Sequence, residues 1–386
     1  MAERPALLLH CQHSLGLGHL VRSLALASAL SRRFRVTVLC GGPLPKPLAA
    51  PPRVELVSLP ALHAGEDGRL VSPDGLPVER ALELRRARIL ATFDAVRPRV
   101  VLVELFPFGR KKLAPELLPL LDAARRKGAF VATSLRDLLV TGRSDQEAHD
   151  ERARELADGY LDAVLVHADP RFARLEETFR PRVPLRAPVH YTGFVTGGGR
   201  LRRPRLRTDE PHVVASAGGG RVGGPLLRAA IDAHRILRAR RPLRTTVVAG
   251  PLLADGEWQE LEEQGSGVSG LQLRRSVPDL AAALADASAS VSQCGYNAAL
   301  DLLRARVPAL VVPFAAPGED EQQRRASRLA ELGLVRVLAG EPPHGNRLAS
   351  ALDETLASRP PRVRLDLNGA ETTARLLERL TSGGAA

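Results

Sequence analysis

Two glycine-rich turns and one histidine carry most of the chemistry-capable residues in this 386-residue chain. The longest such stretch is Ser290-Val-Ser-Gln-Cys-Gly-Tyr-Asn-Ala-Ala-Leu-Asp301. It begins in an apolar strand, Ala287 to Val291, and breaks at a small polar turn ending in Gly295. A helix then opens, with Asn297 its expected cap and Ala298, Leu300, Leu302 and Leu303 as helix formers. A second strand, Pro308 to Phe314, follows. Such a unit points free backbone N–H groups and a positive helix end at a bound anion. A nucleotide-sugar diphosphate is the first candidate; an ordinary βαβ crossover explains the stretch taken alone equally well.

Gly218-Gly219-Gly220-Arg221-Val222-Gly223-Gly224 is another turn between a strand and a helix. Its glycines expose more N–H groups than a turn needs, which suits a diphosphate, and Arg221 could add charge. No Gly-Lys-Ser/Thr follows, so it is not a Walker A loop, and a plain surface loop is the alternative. Gly16-Leu17-Gly18-His19 occupies the first strand-to-helix turn. The glycines let backbone approach a ligand at the carboxyl end of a strand, and His19 is suited to act as a base at neutral pH. The alternative is a helix-capping histidine with structural glycines. The third glycine of the dinucleotide fingerprint is missing, so no nicotinamide cofactor is expected. His10, Cys11, His13 and His19 match no zinc spacing, so no metal site is expected.

Carboxylates complete the candidates. Asp301 could accept from ribose hydroxyls or lie on a solvated helix face. Glu319-Asp320-Glu321-Gln322-Gln323 could read sugar hydroxyls or simply favour a helix N-terminus. Glu104 and Asp137, at strand ends, could orient an acceptor, while Arg110-Lys111-Lys112 reads as solvated charge.

An alternation of strand and helix must position these groups. Strands are expected at Ala6–His10, Arg35–Cys40, Val54–Leu59, Arg99–Glu104, Ala129–Thr133 and Ala163–His167, and helices at Leu20–Leu30, Glu79–Ala95, Leu113–Arg126 and Gln146–Ala157. A polar loop spans His63 to Pro77. This order predicts a parallel sheet with helices on both faces. The glycine- and arginine-rich segment 196–210 reads as a linker between a domain at 1–195 and a domain at 211–386. The same doubly wound plan then restarts, with strands at Pro211–Ala217, Thr245–Ala249 and Leu271–Arg274 ahead of the 290s unit, and two closing helices at Arg347–Ser358 and Glu371–Leu380.

Composition narrows the function class. Hydrophobic residues make up 44%, enough for two ordinary cores. No apolar window of about 18 residues is present, so no membrane span is expected. The first residues do not form a basic segment, apolar stretch and cleavage site, so no signal peptide is expected. Three cysteines without paired spacing suit a reducing cytoplasm. The net charge is +12, and all but four of the 55 cations are arginines spread along the chain. With aromatics at only 3%, a nucleic-acid stacking platform is not expected. The charge favours anions: sugar diphosphates, or an anionic membrane surface touched peripherally.

Together these residues resemble the glycosyltransferases of family 28 and their relatives built from two Rossmann-like domains, a group that includes the N-acetylglucosaminyltransferase making lipid II. Gly16-Leu17-Gly18-His19 looks like the group's acceptor-side loop, and Gly218-Gly219-Gly220 like its diphosphate loop. Ser292 to Asp301, Val307 to Phe314 and Glu321-Gln322 resemble the donor signature. The resemblance implies that Gly295, Tyr296 and Asn297 line the donor site. It implies that Asp301 holds the ribose (the lipid II enzyme has Glu there), that Gln322 holds the donor sugar beside Glu321, and that Val277 contacts the base through its backbone. Gly220 stands where the lipid II enzyme has Ser, so one phosphate contact is missing. Glu104-Leu-Phe-Pro-Phe-Gly109, Ser134-Leu-Arg-Asp137, Tyr191-Thr-Gly193 and Ser216 to Gly220 resemble an uncharacterised branch of predicted glycosyltransferases.

The resemblance therefore implies an α/β fold of the glycosyltransferase B type, two Rossmann-like domains facing across a cleft. It implies an inverting, metal-independent transfer from a nucleotide sugar, a uridine diphosphate sugar foremost, to an acceptor hydroxyl, with His19 as base and no cofactor. His19 and Arg22 also match the Gly-x-Gly-His-x-x-Arg start of the nucleotide-sugar hydrolase of pseudaminic acid synthesis. That hydrolase and a catalytically silent partner subunit are the alternatives.

Overall fold

The computed structural model describes residues 4–12, 17–44, 48–65, 69–141, 143–197, 201, 210–220, 222–314, 320–340 and 344–382. By contacts the chain divides into two units, Met1–Gly197 with Asp366–Ala386, and Gly198–Leu365.

In the first unit the chain runs through β1 (Ala6–Cys11), α1 (Leu17–Leu30), β2 (Arg35–Cys40), β3 (Val54–Ser58), the hairpin strands β4 (His63–Ala64) and β5 (Leu70–Val71), and α2 (Val78–Val96). It continues through β6 (Val100–Glu104), α3 (Ala114–Arg126), β7 (Phe130–Leu135), α4 (Gln146–Tyr160), β8 (Ala163–Val166) and β9 (Val189–Tyr191). The sheet is parallel, in the order β3-β2-β1-β6-β7-β8-β9. A parallel sheet buries both faces, which is why β1 reads as an unbroken apolar run. Its alternate residues Leu7, Leu9 and Cys11 pack with Leu20, Leu24 and Leu30 of α1. Fully burying a side chain such as Leu20 contributes about 1.5–3 kcal/mol.

In the second unit the order is β10 (His212–Ser216), α5 (Gly224–Arg238), β11 (Arg244–Val248), α6 (Asp255–Gly265), β12 (Leu271–Arg274), α7 (Leu280–Ala285) and β13 (Ala289–Ser292). Then come α8 (Tyr296–Ala305), β14 (Ala309–Val311), α9 (Glu321–Glu331), β15 (Arg336–Val337) and α10 (Gly345–Leu356). Its sheet, also parallel, is β12-β11-β10-β13-β14-β15. The core gathers Val213, Ala215, Leu227, Ile231, Val291 and Leu352.

The last helix, α11 (Gly369–Ser382), packs on α1 and so belongs to the first unit, not to the second domain where the 211–386 division had it. The reason is a close backbone crossing. Phe194 N–H donates to Asp366 O at 2.8 Å, and Gly369 N–H to Phe194 O at 2.9 Å. A side chain on Gly369 would meet Gly193 O at 2.1 Å. The expected linker at 196–210 lies largely outside the described residues.

Two local expectations change. The cap of α8 is Gly295, not Asn297, which lies inside the helix, and no side chain caps that end. The strand expected at Ala129–Thr133 runs on to Leu135 as β7. The sequence reading passed over β9, α6 and the short hairpin β4–β5, which lies in the expected loop from His63 to Pro77. Among the described residues no helix is long and apolar enough to cross a membrane.

Candidate active site

In each sheet the strand order reverses at one point, between β1 and β6 and between β10 and β13. Ligands of open α/β sheets bind at the carboxyl ends of strands at such switch points. At the first of these points α1 follows β1, and at the second the Gly218 turn and α8 follow β10 and β13.

At the first switch point, α1 starts after β1 and puts His19 and Arg22 one turn apart, so both reach the end of β6. His19 Nδ1–H donates to Glu104 Oε1 at 2.6 Å, and Arg22 donates to the same oxygen. Arg110 Nε stands 3.7 Å from Glu104 Oε2. Glu104 is 1% exposed and His19 21%, so the carboxylate is sealed while the imidazole edge stays open. Burial alone would raise the Glu104 carboxyl, but His19, Arg22 and Arg110 hold it well below the usual carboxylate range. For His19, burial together with Arg22 and Arg110 outweighs the carboxylate and lowers its pKa from 6.5. At neutral pH the imidazole is therefore neutral. With Nδ1–H committed to Glu104, its Nε2 carries the basic lone pair. Beside this cluster, buried His167 bridges Ser134 Oγ at 2.8 Å and Thr192 Oγ1 at 2.7 Å. Burial first, then Arg22, pulls it to about 3, so it stays neutral.

At the second switch point, β10 ends in Ser216, whose Oγ accepts from Gly218 N–H at 3.2 Å. A side chain on Gly218 would touch Ala298 of α8 at 4.0 Å, so the glycine turn lies beside the start of that helix. Gln293 ties the two turns together, its Nε2 donating to Val222 O at 3.0 Å. Gly220 (φ +95°) and Gly250 (φ +97°) sit in the left-handed region and let two loops meet backbone to backbone. A side chain on Gly250 would reach Gly218 O at 2.5 Å, and one on Gly220 would reach Ala249 O at 2.7 Å. With no side-chain cap on α8, its first N–H groups and positive end stand next to those glycines.

The first turn of α9 closes the site. Gln322 Oε1 accepts from Cys294 N–H at 3.1 Å and Phe314 N–H at 3.2 Å. Arg325, 1% exposed, donates to Cys294 O at 3.1 Å and to Glu321 Oε1 at 2.6 Å, with its guanidinium 5.5 Å from the centre of the Tyr296 ring. Asp301, half-buried in the second turn of α8, lies 3.6 Å from Arg304, which also stands 3.5 Å from Asp279. Burial pushes the Asp301 carboxyl up to about 7, with Arg304 opposing and Asp279 reinforcing.

The structure thus brings His19 and Glu104 together, and separately Gly218, Gly219, Gly220, Gly295, Tyr296, Glu321 and Gln322. Several expected roles shift. Glu104, expected to orient an acceptor, is consumed by His19, Arg22 and Arg110. Arg110, expected to be solvated, is held at Glu104, whereas Lys111 and Lys112 are exposed. Asp137 is buried and accepts from Leu138 N–H at 2.9 Å, closing its own turn. Gly18 opens α1, Asn297 lies in α8, and Val277 is half-buried between β12 and α7. Gly16, His13, Arg221 and Glu319 lie outside the described residues. Among those described, no three His, Cys, Asp or Glu side chains are grouped to hold a metal ion. Sequence reasoning passed over Arg325 and Gly250, and gave Arg22 no part at Glu104. The i,i+4 spacing of Glu321 and Arg325 and the i,i+3 spacing of His19 and Arg22 were legible signals. Nothing local marks Gly250.

Two doubly wound parallel sheets of this kind are the architecture of the glycosyltransferase B fold. Residues 228–376 match the glycosyltransferase family 28 C-terminal domain. An uncharacterized glycosyltransferase of Methanopyrus kandleri is 24% identical over 177 residues, 46% of this chain and 47% of that protein. Among solved structures, the glycotransferase of kitacinnamycin superposes with a TM-score of 0.62 at 18% identity, over 99% of this chain and 97% of its own. CalG4, the calicheamicin glycosyltransferase, gives 0.60 at 20%, over 99% and 95%. MurG of Acinetobacter baumannii gives 0.61 at 17%, over 97% and 100%. At these identities the likeness to solved structures is one of fold.

Proposed function

We propose that this protein moves a sugar from a nucleoside diphosphate donor, a uridine diphosphate sugar foremost, to an acceptor hydroxyl, with inversion and without a metal ion. One observation carries the reading: within and beside the region matching family 28, an uncapped helix N-terminus and a glycine turn lie together at a switch point. Clustered N–H groups and a helix dipole are what a diphosphate needs.

The chemistry follows from the side chains. His19 Nε2 takes the acceptor hydroxyl proton while Glu104 holds the tautomer and stabilises the imidazolium that forms. The acceptor oxygen bonds to the anomeric carbon as the bond from that carbon to the diphosphate oxygen breaks. The electron pair leaves with the diphosphate. One displacement inverts the centre. The growing charge is met by the start of α8 and the Gly219 amide, since the N–H groups of Gly218 and Gly220 already donate to Ser216 Oγ and Ala217 O. The sequence has no Asp-x-Asp motif, which supports metal independence. Gln322 offers its amide N–H groups to the donor sugar, since its oxygen is already engaged by Cys294 and Phe314. Asp301 accepts from the ribose and Val277 presents backbone to the base. Three buried free thiols, Cys11, Cys40 and Cys294, suit a reducing cytoplasm.

The decisive experiment is a panel of nucleotide sugars, each with and without candidate acceptors. Acceptor-dependent release of nucleoside diphosphate supports transfer. Rapid sugar release without acceptor supports the hydrolase instead. No nucleotide binding by calorimetry rejects both and leaves a silent partner subunit.

The Asp301 carboxyl adds a pH signature. Ribose hydroxyls donate to the ionised form, so donor affinity should fall as pH drops below about 7. Asp301→Asn should weaken binding about tenfold, the loss of a hydrogen bond to a charged group, and flatten that dependence. Calorimetry at pH 6 and 8 checks it, and equal affinities for the unmodified protein at both would refute it. Stability runs the opposite way: the native state holds the extra proton, so this carboxyl makes the fold less stable as pH rises from about 4 to about 7.

A further inference from the structure

Among the described residues the two largest fully buried side chains are arginines, Arg325 of α9 and Arg85 of α2, and Arg85 lies outside the chemistry described so far. It spends its whole guanidinium on three elements. Nε donates to Glu116 Oε2 at 2.5 Å and Nη2 to Glu116 Oε1 at 2.7 Å, a two-pronged pair with α3. Nη1 donates to Pro60 O at 2.7 Å, and Nη2 also to Gln12 Oε1 at 2.6 Å. Glu116 is completely buried, and His10 Nε2 lies 3.3 Å from its Oε1. Burial opposes ionisation of Glu116, yet the bonds from Arg85 and His10 hold it at about 2.

Stability alone does not account for this pair. Removing two charges from water costs about as much as their attraction returns, and apolar residues of similar volume are often at least as stable. What the pair supplies is geometry, and the geometry leads to His19. Gln12 follows β1 directly and is held at both ends of its amide, its Nε2 donating to Leu62 O at 2.9 Å. Its path runs over Gly41, where a side chain would meet Gln12 Oε1 at 2.3 Å. The backbone oxygen of Gln12 accepts from Arg110 Nη2 at 3.0 Å. That bond aims Arg110 Nε at Glu104 Oε2. Both atoms are buried, neither makes a hydrogen bond, and they face each other at 3.7 Å.

We propose that Arg85 and Glu116 are positioning residues for the His19–Glu104 pair, acting through Gln12 and Arg110. The proposal rests on the reading of His19 as the base, but its test does not need turnover. The charged and titratable groups around His19 are Glu104 from β6, Arg22 from α1, Arg110 from the loop after β6, Cys11 from β1 and His167 after β8. Of these, the Arg85–Glu116 pair governs the placement of Arg110. Releasing Gln12 frees Arg110, whose side chain is 19% exposed, to swing towards water. Arg110 lowers the His19 pKa, so its departure moves the His19 titration upward.

The test is a histidine-selective NMR titration of the ligand-free full chain, with His19 assigned by the resonance lost in His19→Ala. The double variant Arg85→Met/Glu116→Leu keeps an apolar core, and Arg110→Gln leaves that core intact. Both should move the His19 midpoint to higher pH. Arg85→Lys, a single point charge unable to bridge Glu116, Pro60 and Gln12 together, should do the same and serves if the double variant does not fold. A midpoint that moves in Arg110→Gln but in neither Arg85 variant overturns the proposal, as does one that moves in none. Failure of the base reading would appear elsewhere, as unchanged turnover in His19→Ala.

Discussion

His19→Ala should lower turnover by about 10²-fold or more while leaving donor affinity close to that of the unmodified protein. The imidazole sits on α1 of the first unit, whereas the proposed donor residues lie on α8, α9 and the Gly218 turn of the second. On the proposed mechanism the substitution thus removes proton transfer without touching the residues assigned to the diphosphate and ribose. The expected split is a fall in kcat at constant donor Kd, read by steady-state kinetics and calorimetry. A drop in affinity with kcat unchanged would instead make His19 a binding group. The pH profile adds a second check. Burial first, then Arg22 and Arg110, lowers His19 below its ordinary 6.5. The neutral, basic form therefore persists below pH 6.5, and the acid limb of turnover should lie below that value. An acid limb above it would contradict the geometry.

Replacing Glu104 should do more damage, because it disturbs both chemistry and fold. Glu104→Ala leaves Arg22, 2% exposed, buried without its carboxylate. Breaking a buried pair from one side costs about 3–5 kcal/mol, which should appear as a lower urea midpoint for the first unit. Glu104→Gln keeps the shape but removes the charge that the proposed mechanism uses to stabilise the imidazolium, and turnover should fall by about 10²-fold or more. The sign of the pH effect follows from the depressed carboxyl. Its contribution to stability is present in full above about pH 4.5 and is lost as pH falls further. The gap in stability between the unmodified protein and Glu104→Ala should therefore narrow on acidification below pH 4.5. A gap constant with pH would show that the charge pair is not the source of the loss.

Most of the fold was legible because parallel sheets announce themselves. Strands buried on both faces are short apolar runs, and the helices between them repeat at helical spacing. Expected and observed spans for β2 and β12 coincide, and those for α2, α3 and β11 differ by a residue or so. The weaker elements were missed for the same physical cause. The edge strand β9, Val189–Tyr191, is short and half-buried, and α6, Asp255–Gly265, buries one leucine, Leu261, so neither leaves a strong period. The cap of α8 was misplaced because Asn is a common capping residue, whereas here the end is left uncapped beside the glycine turn.

The site was legible as residue types and not as partners. His19, Glu104, Gly218 and Gln322 could be named from their turns and strand ends. That Glu104 orients His19, and is not left to orient an acceptor, depends on β6 lying next to β1 although 85 positions separate the two side chains. The same holds for Arg85 beneath Gln12 and for Gly250 against Gly218. Such pairs arise from strand order, and strand order is a long-range property that no local period encodes. The turn at Gly295 shows the division. Its glycine, its helix and the charge preference of that helix end are local, and the chain alone declares them. Its place at the point where the sheet reverses, with the Gly218 turn alongside and Gln322 and Arg325 holding Cys294, comes from β13 pairing with β10 and from α9 packing behind it.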